Sequence, residues 1–333
     1  MHKSVVVAVL TIVFLLIGTH SSAQDLSDGA GTAGAAFLKI EPGSRPVGMG
    51  GAFTGLANDI NTIFWNPAGL TTIETRELTA MQHFWVADIS SQSIGYAQRA
   101  KNIVWGASLV GSFTEIPRRT GPSETADSTV TVGGFATGLS LAYPLNTSTS
   151  IGGSAKFISE QLDIQNVYGA AADIGIIMRL LQNHLGIGIT VQNAGLFFED
   201  AERDEKLTNE YPPMAIRGGL AYRIWREVEM DTEEPMIPSD LWTFVADAHL
   251  PLIDANPSFH FGVERWFYDI IAARIGYRIG LNENPNDGLA IGIGVKKRGL
   301  DSLANVGFQF DYVFIPQSDF ESNSHRISII TRF

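Results

Sequence analysis

The sequence predicts an all-β protein: a 14-stranded antiparallel transmembrane β-barrel with an N-terminal plug or hatch segment. Three observations predict it. The chain opens on a secretory leader, the residues after 76 alternate apolar with small or polar side chains over long stretches, and the segment between the two does not alternate.

The leader reads MHKSVVVAVLTIVFLLIGTHSSAQ. Lys3 gives a short positive start, Val5 to Ile17 is an apolar run too short to cross a bilayer, and Ser21 and Ala23 supply the small residues of a cleavage site. Residues 1–23 are therefore read as a signal peptide. The chain has no cysteine, which excludes a disulfide framework, a lipid-anchored cysteine and a thiolate metal site. A net charge of −12 and a pI near 5.0 argue against a nucleic-acid partner. Beyond Ile17 no run approaches the roughly 18 apolar residues of a membrane helix. Hydrophobic residues nevertheless make up 45% of the chain, and there are 34 glycines. Two classes fit a secreted chain of this kind: a soluble β-protein, and an outer-membrane barrel, which needs only alternating strands.

The alternation selects the barrel. In LGIGITVQ, Leu185, Ile187, Ile189 and Val191 share one face while Gly186, Gly188, Thr190 and Gln192 share the other. LAIGIGVK and VGFQFDYVF repeat the pattern, and in MAIRGGLAYRI the face opposite Ile216, Leu220 and Tyr222 carries Arg217 and Arg223. Fourteen such segments are predicted near 76–87, 91–99, 103–113, 134–144, 149–163, 168–181, 184–194, 214–225, 241–251, 258–267, 270–280, 288–298, 304–315 and 324–333. Most are long for a soluble sheet and suited to tilted membrane strands, and the even count obeys the bacterial barrel rule. With both ends of the chain in the periplasm, the periplasmic links are mostly short (near 100–102, 145–148, 182–183 and 268–269), and the external ones include the long stretches 114–133 and 195–213. REVEMDTEEPMIPSD at 226–240 breaks this rule: either the strand count slips there or the chain makes a periplasmic excursion. The ending HRISIITRF puts Ile327, Ile329, Thr331 and Phe333 on one face, and a terminal Phe on an alternating strand resembles the assembly signal of outer-membrane barrels. The division is thus signal peptide 1–23, plug or hatch 24–75 and barrel 76–333, in the outer membrane of a Gram-negative-type bacterium and in contact with its lipid.

Residues 30–70 are small-residue-rich and irregular, with GMGG (Gly48, Met49, Gly50, Gly51) and WNPAGL, whose Trp65 reads as exposed. Glycine lets backbone approach backbone, and Pro67 biases Asn66 to an extended conformation. A 14-stranded barrel is too wide for its own side chains to fill, and irregular backbone at membrane depth is tolerated inside a lumen. The segment is expected to fold there, with Asn66, Pro67 and Ala68 against the wall and Arg45 or Asp59 paired to inward charges.

FLKIEPGSRPVGMGGAFTGLANDINTIFWNPAGL resembles the N-terminal signature of the PorV/PorQ family, within the wider FadL-like (FadL/TodX) group of outer-membrane barrels. The matching positions are Phe37-Leu38, Gly43-Ser44-Arg45, Gly48-Met49-Gly50, Ala57, Asp59 and Trp65-Asn66-Pro67-Ala68. The resemblance implies that Asn66, Pro67 and Ala68 form a hatch closing the lumen. It implies two functions: a non-enzymatic component of type IX protein secretion, meeting translocon or cargo proteins, or a channel for hydrophobic small molecules such as fatty acids.

Catalytic signatures are missing: there is no HExxH, GxSxG or GxxxxGK[ST]. Asp247 and His249 share a polar face as a catalytic orienting pair would, though a lumen pair satisfied by neighbours explains them as well. No catalytic residue, metal ligand or cofactor is expected. The inward face carries Lys156, Arg179, Arg217, Arg223, Arg274, Arg278, Lys296, Arg326 and Arg332 against Asp173, Asp247, Glu264 and Asp311. Either these bases pair with one another and with plug acids such as Glu41 and Asp59, or Arg217, Arg223, Arg274 and Arg278 contact an anionic or hydrophobic small ligand.

Overall fold

The protein is described from a computed structural model, covering residues 33–85, 89–118, 128–162, 165–198, 211–226, 240–253, 256–281, 288–297, 306–317 and 323–333. The predicted signal peptide and the segments 199–210 and 227–239 lie outside these residues.

Fourteen strands form one closed antiparallel barrel in which each strand pairs with its sequence neighbours. They are β1 (Arg76–Phe84), β2 (Ser90–Ala100), β3 (Ile103–Arg118), β4 (Ser128–Pro144), β5 (Thr149–Leu162), β6 (Gln165–Leu180), β7 (Leu185–Phe197), β8 (Ala215–Arg226), β9 (Asp240–Pro251), β10 (Ser258–Phe267), β11 (Ile271–Gly280), β12 (Gly288–Lys297), β13 (Gly307–Ile315) and β14 (Ser324–Arg332). β1 closes the ring on β14 in the register Glu77↔Arg332 to Phe84↔His325. Phe333 extends that seam: its N–H donates to the Arg76 carbonyl, and its own carbonyl accepts from Arg76 N–H and from Thr75 Oγ1.

The alternation sets the orientation of every strand. On β4, Leu139 and Leu141 are 69% and 61% exposed on the outside, while Ser140 between them is 2% exposed. The same inversion runs around the barrel, with Ile174, Ile189, Ile275, Ile293 and Phe310 outward and Asp173, Thr190, Arg274 and Asp311 inward. A continuous apolar outer face around a polar interior is the arrangement hydrocarbon requires of a spanning sheet.

Two expectations change. The stretch 114–133 is not all loop: Thr114↔Val132 through Arg118↔Ser128 are paired, so β3 and β4 continue as a hairpin arm. Thr114 and Ile116 on β3 pair with Val132 and Val130 on β4, and this carries the ladder on past Gly133. On the strand count at 226–240, Ala215↔Pro251 through Arg226↔Asp240 pair without interruption. Among the described residues β8 therefore pairs directly with β9 and the strand count holds, while the excursion expected at 226–240 falls on residues outside those described.

The apolar core lies inside the lumen, and it is made by the segment before β1. Met49, Phe53, Ile60, Ile63, Trp65, Leu70 and Ile73 are among the largest fully buried side chains. They pack on small wall residues such as Ala97, Ala142, Ala221 and Ala290. The segment is built from short turns: a 3-10 turn at Ala36–Lys39, single helical turns at Ser44–Gly48 and Thr62–Trp65, and a 3-10 helix at Pro67–Thr72.

Candidate functional site

WNPAGL is the junction between plug and wall. Asn66 is extended (φ −148°, ψ 100°), as a residue before proline should be, and Pro67 begins the following 3-10 helix, where its missing N–H costs nothing. The Asn66 amide does three things at once: Oδ1 accepts from Ala68 N–H (3.2 Å), and Nδ2 donates to the Thr54 carbonyl (3.1 Å) in the plug and the Ile176 carbonyl (3.2 Å) in the wall. Inward glycines make this approach possible. A Cβ on Gly175 would lie 2.1 Å from Asn66 Oδ1, and one on Gly152 would lie 2.4 Å from the Pro67 carbonyl carbon.

Trp65 is not exposed, as its sequence context implied, but 2% exposed. Its Nε1 donates to the Pro42 carbonyl (2.9 Å), Phe53 meets it edge-on, and the Arg217 guanidinium lies 4.8 Å from its ring centre. In GMGG, Gly50 and Gly51 adopt positive φ (70° and 82°), and a Cβ on the facing Gly276 would lie 1.9 Å from Gly50 N. Gly48 and Met49 lead into this turn, with Met49 fully buried against Gly262.

Charges on the plug and the wall interlock. Arg45 donates through Nε and Nη2 to both carboxylate oxygens of Glu264 (2.8 and 2.6 Å), and through Nη1 to Asp59 (2.6 Å) and Asn58 (2.9 Å). Burial opposes its charge, yet Glu264 and Asp59 together hold its pKa above the ordinary arginine value. Glu264 also accepts from Arg274 (2.6 Å), which continues to Asp311 (2.8 Å). A second knot centres on Glu41, whose carboxylate pairs with Arg217 (2.7 Å) and with Arg278, while its backbone carbonyl accepts from Arg326. Burial raises the Glu41 pKa, but Arg278 and Arg217 outweigh it and leave the carboxyl below its ordinary value.

All nine predicted inward bases have partners. Lys156 pairs with Asp173, Lys296 with Asp269, Arg332 with Glu77, and Arg179 donates to the Ala57 carbonyl of the plug. Of the four arginines singled out for a ligand, Arg217 and Arg278 meet at Glu41, whereas Arg274 belongs to the Glu264 knot. Arg223 sits apart from them, near the chain-terminus end, donating to the Asn183 carbonyl beside Trp225. Asp247 is not aimed at a nucleophile: it accepts from the plug N–H groups of Phe53 (3.0 Å) and Thr54 (2.8 Å). Sequence reasoning missed that role, because the donors are plug backbone N–H groups 194 and 193 positions away.

Two cavities of about 380 and 400 Å³ lie above the plug, toward the end of the barrel opposite the chain termini. The first is bounded by strand-end residues Ala215, Pro251 and Ser258, with Leu38, Phe64, Trp65 and Val110 as apolar wall. The second is bounded by Gly288, Ile315 and Ser324, with Phe37, Val47 and Trp85. Lys39, Ile40 and Glu41 of the plug and Arg278 of the wall line both. Arg217 lines the first; Arg223 and Arg274 line neither.

A family model described as "Uncharacterised protein family (UPF0164)" matches residues 18–223. A search of curated proteins finds no match. Among solved structures, the chain is similar to the CymD monoaromatic hydrocarbon channel (TM-score 0.55, 12% identity, covering 87% of this chain and 97% of that one). It is also similar to the Pseudomonas putida toluene transporter TodX (TM-score 0.56, 11% identity, covering 87% and 96%). At these identities the likeness is one of fold.

Proposed function

We propose that this chain, which belongs to the UPF0164 family, is a non-enzymatic outer-membrane channel that takes hydrophobic small molecules from outside the cell into the lumen above its plug. The observation that carries this reading is the pair of cavities. Their volumes fall within the few hundred to a thousand cubic ångströms usual for small-molecule sites, and each mixes apolar side chains (Leu38, Phe64 and Val110 in the first, Phe37, Val47 and Trp85 in the second) with charged and polar ones such as Lys39, Glu41 and Arg278. Their position at the end opposite the termini faces the exterior if both termini enter from the periplasm. The hydrocarbon-channel descriptions of the similar barrels favour this reading over a role in type IX secretion, and neither the cavities nor the plug adds support for translocon or cargo partners.

Arg217 and Arg278 give the site a preference. A ligand carboxylate reaches them only by replacing the Glu41 carboxylate that already occupies both. Neutral hydrocarbons enter without that competition, and amphipathic carboxylates bind in exchange for Glu41. Titration of the detergent-solubilised protein with a monoaromatic hydrocarbon and with a long-chain carboxylate, followed by tryptophan fluorescence, tests this. Val110→Trp, which narrows the first cavity and leaves the second untouched, should weaken saturable binding, and Glu41→Gln should tighten the carboxylate alone. Absence of saturable binding to the native protein would overturn the proposal.

A further inference from the structure

Two adjacent rows of inward side chains cross β8 to β11 beside the first cavity. The row nearer the plug is Asp247, His260 and Arg278, paired across β9, β10 and β11. All three hold the plug: Asp247 binds the Phe53 and Thr54 N–H groups, His260 the Gly50 carbonyl, and Arg278 the Glu41 carboxylate. The next row, two residues along each strand, is Arg217, His249 and Ser258, paired across β8, β9 and β10. All three members of this second row line the first cavity. Arg217 is already taken there by Glu41. His249 and Ser258 are not committed to the plug, and the mechanism of seating does not use them.

The hydrogen-bond polarity of this pair can be read from its neighbour. The Gly50 carbonyl can only accept, so the His260 Nδ1 that meets it at 2.7 Å carries the proton. With the Arg278 guanidinium across the strand pair, the buried His260 ring stays neutral, and its Nε2 has only a lone pair. Ser258 Oγ, 2.8 Å from that Nε2, therefore donates its one proton to it. What Ser258 has left for the cavity is acceptor capacity alone. His249 makes no hydrogen bond among the described residues; its contact is the edge-on ring of His260, 6.0 Å away. Arg217 Nε, in the same row, is sealed in the wall without a partner, whereas the His249 nitrogens are not sealed and open on the cavity. A neutral imidazole offers one donor and one acceptor. Residues directly opposite on an antiparallel pair hold their Cβ atoms about 5 Å apart, so one ligand oxygen can touch both His249 and Ser258.

We propose that His249 and Ser258 form a hydroxyl-binding pair, which makes neutral phenol-type aromatics the preferred ligands of the first cavity. The inference rests on the hydrophobic-channel reading and names its ligand class. The ligand O–H donates to Ser258 Oγ, its oxygen accepts from the His249 ring N–H, and its ring lies against Leu38, Phe64 and Val110. The pair suits an anion poorly, because Ser258 has no proton left to give. The test is calorimetric titration of the full-length, detergent-solubilised protein with p-cresol, toluene and 4-methylanisole, with heat-modifiable mobility confirming each barrel. In the native protein p-cresol should bind at least about fivefold more tightly than 4-methylanisole, which has no proton to donate. His249→Phe should weaken p-cresol about fivefold and leave toluene within about twofold. Ser258→Ala should weaken p-cresol by a similar factor and leave 4-methylanisole unchanged. Loss of p-cresol and toluene together, or of p-cresol in one variant alone, would overturn the pair. Equal native affinities for p-cresol and 4-methylanisole would overturn it too, and that comparison stands even if a variant fails to assemble. If toluene still binds saturably, only this inference falls; if none of the three ligands does, the channel reading falls with it.

Discussion

Replacing Arg45 with methionine keeps most of the side-chain length and removes the guanidinium that joins plug to wall. Glu264 would keep Arg274, but Asp59 would keep only the Asn61 N–H at 2.8 Å. Deleting one partner of a buried ion pair costs about 3–5 kcal/mol, because the other charge stays behind without compensation. At about 1.4 kcal/mol per decade, the equilibrium for leaving the seat shifts by roughly two to nearly four orders of magnitude. The barrel ladder is untouched, so the change should appear as channel opening. In planar bilayers Arg45→Met should give frequent openings where the native protein is almost silent, with normal heat-modifiable mobility. Asp59→Asn removes the stranded charge, so the double variant should open less often than the product of the two single effects predicts. A closed Arg45→Met channel in an intact barrel, or effects of the two changes that simply multiply, would refute the idea that these charges hold the plug.

Three further outcomes follow from the same geometry. The Glu41 carboxyl sits below its ordinary pKa when the plug is seated, so its contribution is complete above the ordinary carboxylate value of about 4.3 and is lost as pH falls through the lower, seated value. Conductance recorded from pH 8 downward should stay low to about pH 5 and rise only in stronger acid, and Glu41→Gln should flatten that profile. Gly175→Val drives a side chain into Asn66 Oδ1, an overpacking worth about 1–3 kcal/mol, and should expose residues 33–75 to protease while leaving the barrel folded. Deleting Phe333 removes two backbone hydrogen bonds to Arg76 at the closing seam, each worth about 0.5–1.5 kcal/mol, and should lower the heat-modifiable fraction in outer-membrane preparations.

The strands were legible because the barrel repeats one rule, apolar out and small or polar in, with a period that residues such as Leu185 to Gln192 display without help from the rest of the chain. The hairpin arm of β3 and β4 was missed because Pro117 and the polar residues around it look like a loop, although Ile116 and Val130 pair across it. The plug was legible by contrast, as a stretch without period in front of a lumen too wide to fill itself. Its contacts were not. Arg45 meets Glu264 across 219 positions and Arg217 meets Glu41 across 176, and nothing local specifies those partners. Trp65 misled for a related reason: beside Asn-Pro it looks like the tip of an exposed turn, and only the guanidinium of Arg217 and the carbonyl of Pro42 show what covers it. The inward glycines stood out as composition, but their use as sockets depends on which plug atom each one faces.

The central claim is that the lumen above the plug admits hydrophobic molecules. Hydrocarbons cross plain phospholipid unaided, so the measurement must be made across an intact outer membrane. Initial uptake of a labelled monoaromatic hydrocarbon is compared in Gram-negative cells expressing the native chain, Val110→Trp, or neither, at matched barrel levels. The account predicts faster uptake with the native chain than with vector, and a slower rate with Val110→Trp, which narrows one of the two cavities. Uptake that is the same in all three strains would contradict it.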